Sequence, residues 1–401
     1  MRANPGGEVS PNDVIGRDTL IQDLWRTLER QSVVLVAERR VGKSTVIKKM
    51  RSSPPKGVFA VYRDVENLAT PLEFIERLYQ DVEPQLSTTT RATSKVKSFL
   101  KEVAGFELGG VVKFPPSTRE HWKELLESVF DDLCRAGDQR IVLFWDELPL
   151  FIHKVKQAEG ERLAMDVMDS LRSLRQTHQN LRMVFTGSIG LHHVVTSLRE
   201  AGHANDATND MKTVEVSALA DCDAVDLAKK LLIGESIECE DGETTAGAIA
   251  KSVDQLPFYI QSIVSEMVSI QGKINASTVT GIVQDALVDD QDRWHLQHFY
   301  DRIPEYYGSD RVPIVHAILD ELAVTAGSLA LAELIDRLKV SLAPDSSNYA
   351  GSILGGNSTP VIDLLRLLRR DHYVTQNSED GSFQFRGTVL KRWWKLFRGL
   401  S

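Results

Sequence analysis

Val33-Val-Leu-Val-Ala37-Glu-Arg-Arg-Val-Gly42-Lys43-Ser44-Thr45 decides the fold. Four aliphatic residues and an alanine make a continuous apolar run, the mark of a strand buried on both faces of a parallel sheet. Gly42-Lys43-Ser44 then fit the end of the G-x-x-x-x-G-K-S/T phosphate-binding loop, with a helix opening at Lys43. Gly42 allows backbone N–H groups to close around phosphate oxygens. Lys43 would reach the β- and γ-phosphates, the Ser44 hydroxyl would ligate Mg²⁺, and the helix N-terminus adds its dipole and free amides. Arg40, Val41, Gly42, Lys43, Ser44 and Thr45 are therefore the candidate phosphate-side residues. One position departs from the pattern: Ala37 stands where the first glycine belongs. Alanine resists positive φ, so the loop must be entered in a conformation alanine tolerates.

About a hundred residues on, Ile141-Val-Leu-Phe-Trp145-Asp146-Glu147 is an apolar strand ending in two carboxylates, the Walker B arrangement. Asp146 would hold Mg²⁺ through water, and Glu147 would orient and polarise the attacking water. A third strand, Leu181-Arg-Met-Val-Phe-Thr186, ends in Gly187-Ser188-Ile-Gly190-Leu191. In P-loop ATPases with an extra strand between the P-loop strand and Walker B, a polar residue here senses the γ-phosphate. Thr186 and Ser188 are the candidates, and a glycine-rich turn with a helix cap is the alternative. Arg172, Arg175 and Arg199 are either solvated helix-face arginines or a source of transition-state charge. Asp64 and Glu66 follow another strand and either touch metal-bound water or cap the next segment.

Around these motifs, strands expected at Ser32–Ala37, Val58–Asp64, Arg140–Asp146, Leu181–Thr186 and Thr213–Val216 alternate with amphipathic helices, which implies an α/β fold with right-handed crossovers. Helices are expected over Leu20–Arg30, over 71–82 behind the capping box Thr70-Pro71-Leu72-Glu73, and over 118–136 behind Ser117-Thr-Arg-Glu120. Residues 84–117 break the rhythm and read as an insertion. Within it, Phe106–Phe114 centres on Gly109-Gly110 and forms a hairpin, either a partner or self-assembly surface or a ribbon on the core edge. From Ser217 to about Ala286 the pattern is helical. Val312–Leu322, Ala330–Leu338 and Thr359–Arg370 then read as three amphipathic helices, with short strands flanking Asn377-Ser-Glu-Asp-Gly381. Three helices plus a hairpin make a winged helix. Its third helix presents Arg366, Arg369 and Arg370 opposite Val361, Leu364, Leu365 and Leu368.

Together these motifs resemble the archaeal-type P-loop ATPase group, related to STAND and origin-recognition ATPases within the AAA+ class. Gly16-Arg17-Asp18 before a helix is similar to that group's adenine-side box, and Arg39-Arg40-Val41-Gly42-Lys43-Ser44 to its P-loop. Asp146-Glu147-Leu148-Pro149 and Thr186-Gly187-Ser188-Ile189-Gly190-Leu191 resemble its later motifs. Leu256-Pro257-Phe258-Tyr259-Ile260-Gln261 resembles its lid segment, usually written G-x-P, except that Gln255 replaces the glycine. Phe385-Arg386 with Trp393-Trp394 resembles the end of its winged-helix domain. The resemblance implies a P-loop core at 1–217, a helical lid at 218–290 and a winged-helix domain at 291–401. ATP and Mg²⁺ would lie in a cleft between core and lid, with Gly16, Arg17 and Pro257 added to the nucleotide contacts.

Composition narrows the rest. The 42% apolar and 26% charged fractions are those of an ordinary soluble globular chain, which excludes a disordered tail or a disulfide scaffold. No apolar run is long enough to span a bilayer, and the N-terminus lacks an apolar signal core. Three widely spaced cysteines, Cys134, Cys222 and Cys239, read as reduced thiols in a cytoplasmic protein, and no Cys/His spacing suits zinc. With 47 basic and 56 acidic side chains the net charge is −9, so nucleic acid would have to be met by a local patch. Residues 361–401 carry eight basic against four acidic side chains, a local +4. The sequence therefore reads as a slow, Mg²⁺-dependent ATPase acting as a molecular switch, its winged helix docking on a protein partner or another copy. The alternative is a DNA-associated ATPase, its winged helix on duplex DNA in replication, transposition or defence against foreign DNA.

Overall fold

The computed structural model describes residues 1–86, 97–99, 107–108, 111–112, 121–135, 138–187, 190–200, 206–342 and 348–400. The chain divides into two compact units. One comprises Arg17–Ala37 and Lys43–Val216, and the other Met1–Gly16, Glu38–Gly42 and Ser217–Ser401.

The first unit is built on a parallel sheet. Its elements are α1 (Asp18–Leu28), β1 (Val33–Ala37), α2 (Lys43–Ser52), β2 (Val58–Asp64), α3 (Pro71–Val82), β3 (Glu107–Leu108), β4 (Val111–Val112), α4 (Trp122–Arg135), β5 (Arg140–Asp146), α5 (Leu148–Glu159), α6 (Glu161–Thr177), β6 (Leu181–Thr186), α7 (Leu191–Glu200) and β7 (Lys212–Val216). Strand order is β2-β5-β6-β1-β7, so β6 lies between the strand feeding the P-loop and the Walker B strand. The central strands are near-continuous runs of Val, Ile, Leu and Phe because both faces are covered: every residue of β5 after Arg140 is buried. The face carrying Trp145 packs aromatics around it, with Phe74 at 4.9 Å and Phe185 at 5.9 Å between ring centroids.

Helix boundaries follow the local chemistry. At α3, Thr70 Oγ1 accepts from the Glu73 amide (3.3 Å) while Glu73 Oε2 accepts from the Thr70 amide (3.2 Å), the reciprocal capping box expected there. The Ser117–Glu120 box lies outside the described residues. In the 106–114 segment, Glu107–Leu108 pairs antiparallel with Val111–Val112, and the other residues of that expected hairpin lie outside the described ones.

The second unit is mainly helical. It contains α8 (Asp221–Gly234), α9 (Gly242–Ser252), α10 (Pro257–Met267), α11 (Ala276–Leu287) and α12 (Gln297–Tyr307). These are followed by α13 (Val312–Val324), α14 (Leu331–Ser341), α15 (Asn348–Leu354), α16 (Thr359–Arg370), β8 (Val374–Gln376), β9 (Phe383–Phe385) and α17 (Thr388–Phe397). Asp241 and Asn275 cap α9 and α11 through their side-chain oxygens. β8 and β9 form an antiparallel ribbon, and Leu329 adds a one-residue third rung by exchanging two 2.8 Å backbone hydrogen bonds with Phe383. Helix α15 and the Leu329 rung are additions to the three helices and hairpin expected from the sequence. The partly buried Arg302 lies over the rings of both Phe299 and Tyr373, 4.9 and 4.5 Å from their centroids. It donates to the Tyr373 hydroxyl (2.7 Å) and the Asp371 carbonyl (2.8 Å), while Tyr307 donates to the Asp371 carboxylate. That network ties α12 to the end of α16. Among the described residues no helix is long and apolar enough to cross a membrane.

Candidate functional site

In a parallel sheet the strands deliver their carboxyl ends to one edge, where ligands sit. Here β1 ends at Ala37, β5 at Asp146 and β6 at Thr186, and α2 begins at Lys43. Asp146 is 2% exposed, and both of its oxygens accept hydrogen bonds from neighbouring strands. Thr186 Oγ1 donates to Oδ1 at 2.9 Å, and the Tyr62 hydroxyl on β2 donates to Oδ2 at 3.2 Å. Burial and the negative charge of Asp146 hold the Tyr62 phenol well above its ordinary range, so it stays a donor. Lys43 Nζ donates to the Gly187 carbonyl just past β6. Ser44 and Thr45 lie partly buried in the first turn of α2.

Glu147 adopts φ 59° and opens α5 with its carbonyl, which accepts from the amides of Leu150 and Phe151 (both 3.1 Å). A glutamate in the left-handed region is strained backbone, and such strain gathers at functional sites. Thr186 is the end-of-strand polar residue singled out in the sequence, and it is committed to Asp146. Ser188 lies outside the described residues. Asp64 accepts from the Glu66 amide at 2.9 Å, which is the local capping role. Arg175 is neither solvated nor available to a ligand: its guanidinium is buried, pairs with Asp210 at 2.8 Å and donates to the Ala207 carbonyl at 2.6 Å. The solvated helix-face reading fails because Asp210 and the Ala207 carbonyl take up its donors. The side chain of Arg199 is outside the described ones.

The loop residues Glu38–Gly42 belong to the second unit and have contacts there. Arg40 has φ 71° and Gly42 has φ 89°, so the left-handed turns of the loop fall on these two residues. Ala37 is an ordinary strand residue, which is how the loop does without its first glycine. The Arg40 guanidinium stacks on the Phe258 ring, 4.0 Å from its centroid. Glu38 pairs with Arg386 at 3.5 Å. Burial, and Arg39 beside it, lower the Arg40 pKa. Burial together with Arg39, Arg302 and Arg40 pushes the His298 imidazole down to about 3, so it is neutral. Val41 is buried at 1% exposure, a packing residue of the loop.

Gly16, of the adenine-side box, has φ 68°, and a Cβ there would lie 2.6 Å from Cβ of Asp223, so only glycine fits. Arg17, in the other unit, is 6% exposed at the start of α1, where its carbonyl accepts from the Ile21 amide at 2.9 Å. Pro257 opens α10. The preceding Asp254 and Gln255 have φ 52° and 56°, which explains why a glycine is usual at that turn. Gln255 holds it with its carbonyl, which accepts from the Leu219 amide at 3.2 Å. The sequence reading missed Tyr62 and Asp254, and it named Phe258 only as part of the lid segment, not as the partner of Arg40.

Residues 26–195 match the AAA domain family. No curated protein matches the sequence. Among solved structures, the Walker-type ATPase PABY2304 of Pyrococcus abyssi is 15% identical and superposes over 98% of this chain and 100% of its own, with a TM-score of 0.61. The ORC2 protein of Aeropyrum pernix in its ADPNP–ADP complexes is 11% identical over 98% of this chain and 97% of its own, with a TM-score of 0.54. At these identities the likeness shows the fold alone: a parallel-sheet P-loop NTPase core followed by a mainly helical part.

Proposed function

We propose that the chain binds ATP and Mg²⁺ and hydrolyses ATP slowly, as a cytoplasmic molecular switch of the archaeal-type, STAND-related kind. Residues 1–217 are its core with an insertion at 84–117, residues 218–290 its lid and residues 291–401 its winged helix. The observation that carries the switch reading is the pair of contacts made by the phosphate loop: Glu38 with Arg386 and Arg40 with Phe258. Phe258 lies on the helix opened by Pro257, and Arg386 follows the ribbon of the winged helix. A loop that must reshape around phosphate thus has one side chain on each, so nucleotide state reaches both.

At the sheet edge Lys43 would move from the Gly187 carbonyl to the phosphates. Mg²⁺ fits the hard oxygen donors Ser44 and Asp146, and when bound it would neutralise charge developing on the phosphates. Asp146 is held by Thr186 and Tyr62, and Glu147 would orient water. Gly16, Arg17, Arg40, Val41, Gly42, Thr45 and Pro257 complete the nucleotide contacts. The ADPNP–ADP complexes of the Aeropyrum pernix protein support this use of the fold.

Lys43→Ala should weaken binding of a fluorescent ATP analogue by about tenfold or more, the worth of a charged hydrogen bond. Glu147→Gln should bind nucleotide like the parent yet hydrolyse it about a hundredfold more slowly, the scale of a lost general base. Parent-rate turnover by Glu147→Gln sinks the assignment.

A second reading, a DNA-associated ATPase, draws on Arg366, Arg369 and Arg370, all exposed on α16. Duplex binding with a steep salt slope would favour it over protein docking.

A further inference from the structure

Tyr62 is assigned no part by the phosphate-site motifs. It stands on β2, paired in register with Phe144 and two residues before the Asp64–Asp146 pair that closes the ladder. Alternation along the strand puts Asp64 and Tyr62 on one face, and Tyr62 is the one whose hydroxyl reaches Asp146. Thr186 holds Oδ1 from β6 on one flank, and Tyr62 holds Oδ2 from β2 on the other. An aspartate's terminal torsion is soft and nearly two-fold, so one donor leaves the carboxylate plane free to swing. Two donors from opposite neighbouring strands fix it. The Tyr62 ring is in turn braced from the phosphate-loop helix, with Lys48 Nζ 5.6 Å from the ring centroid on α2. One half-buried tyrosine therefore connects the Walker B carboxylate to the helix that opens with Lys43 and Ser44.

We propose that Tyr62 is a positioning residue for the metal half of the site: its hydroxyl sets the orientation of Asp146 that receives the nucleotide's divalent cation. This rests on the ATP reading above. Tyr62 touches neither phosphate nor reacting water in this assignment, so removing its hydroxyl should separate metal affinity from nucleotide affinity.

The test uses the full chain, Mn²⁺ as the metal probe read by electron paramagnetic resonance, and a fluorescent ATP analogue. For Tyr62→Phe, Mn²⁺ affinity in the nucleotide complex should fall about fivefold or more, while nucleotide affinity in EDTA stays within about twofold of the parent. In an Asp146→Asn background the same change should add no further loss of Mn²⁺ affinity. Parent-like Mn²⁺ affinity in Tyr62→Phe overturns the proposal, as does an equal loss of metal and nucleotide affinity. If Tyr62→Phe does not fold, Tyr62→Leu, which also lacks the donor, is read by the same two measurements. A parent protein that binds no nucleotide, or a Lys43→Ala variant that binds as tightly as the parent, overturns the ATP reading and this proposal with it. A Tyr62 result that fails alone leaves the ATP reading standing.

Discussion

Arg40 occupies a backbone conformation that favours glycine, and so does Glu147, at φ 71° and 59°. Each position costs of order 1 kcal/mol relative to relaxed backbone. At Arg40 the cost is offset by the guanidinium on Phe258, a contact worth about 0.5–2 kcal/mol. Arg40→Gly removes both terms, so its melting temperature should stay close to the parent's. What should be lost is the connection between loop and helix. Hydrogen exchange across 257–267 should slow on adding ATP to the parent and respond less in Arg40→Gly. An identical ATP response in both would show that the stacking transmits nothing. The motif at 42–45 was legible because its residue types are tied to phosphate chemistry. Where the loop's left-handed turns fall was not legible, because that depends on Phe258, more than two hundred residues away in sequence. Tyr62 was hidden for the same reason: strand neighbours are set by sheet order, which no local pattern prints.

At the scale of elements, most of the parallel strands announced themselves as apolar runs, and each of the five expected in the first unit is present to within one residue of its observed ends. Caps supplied locally, such as Thr70 with Glu73, were equally readable. Caps supplied from afar were not. Helix α17 starts after Gly387, which has no side chain to cap it, and Asp254 does so from 134 residues away in sequence. Its carboxylate accepts from the Thr388 hydroxyl at 2.7 Å and from the Val389 amide at 2.9 Å. Asp254 itself is left-handed at φ 52°, immediately before the Gln255-Leu256-Pro257 turn, so the proposed lid and winged helix share this one residue. Asp254→Ala should destabilise the protein by about 1 kcal/mol, the usual worth of an N-cap. Asp254→Asn should recover most of that, since asparagine both caps and tolerates the left-handed region. Thermal unfolding of the three proteins checks the order. If asparagine is no better than alanine, the cap contributes nothing and the tie is packing alone.

For the whole molecule the deciding quantity is where charge faces solvent. The chain carries −9 overall, yet Arg366, Arg369 and Arg370 stand exposed on one stretch of α16, with Leu364, Leu365 and Leu368 buried behind them. Helical spacing sets Arg366 beside both of the others, so like charges gather on one turn. Their partners are slight: Arg366 reaches Asp363 at 3.3 Å on an exposed pair, and Arg369 reaches the Gln376 side chain at 2.6 Å. Exposed pairs of this kind contribute little. An anionic surface from another molecule would relieve the crowding. The ribbon beside them turns through Glu379 and Asp380, which would meet duplex phosphate with repulsion, whereas a second acidic chain of this kind offers carboxylates that can be arranged around it. We therefore expect the three arginines to dock on protein. Changing all three to alanine should shift the oligomer mass or the ATPase rate and leave DNA affinity nearly as it was. Filter binding across a salt series is the counter-test. Sub-micromolar binding of duplex DNA by the parent, with a steep salt slope that the triple variant loses, would move the assignment to phosphate, because each neutralised phosphate adds about one unit to that slope.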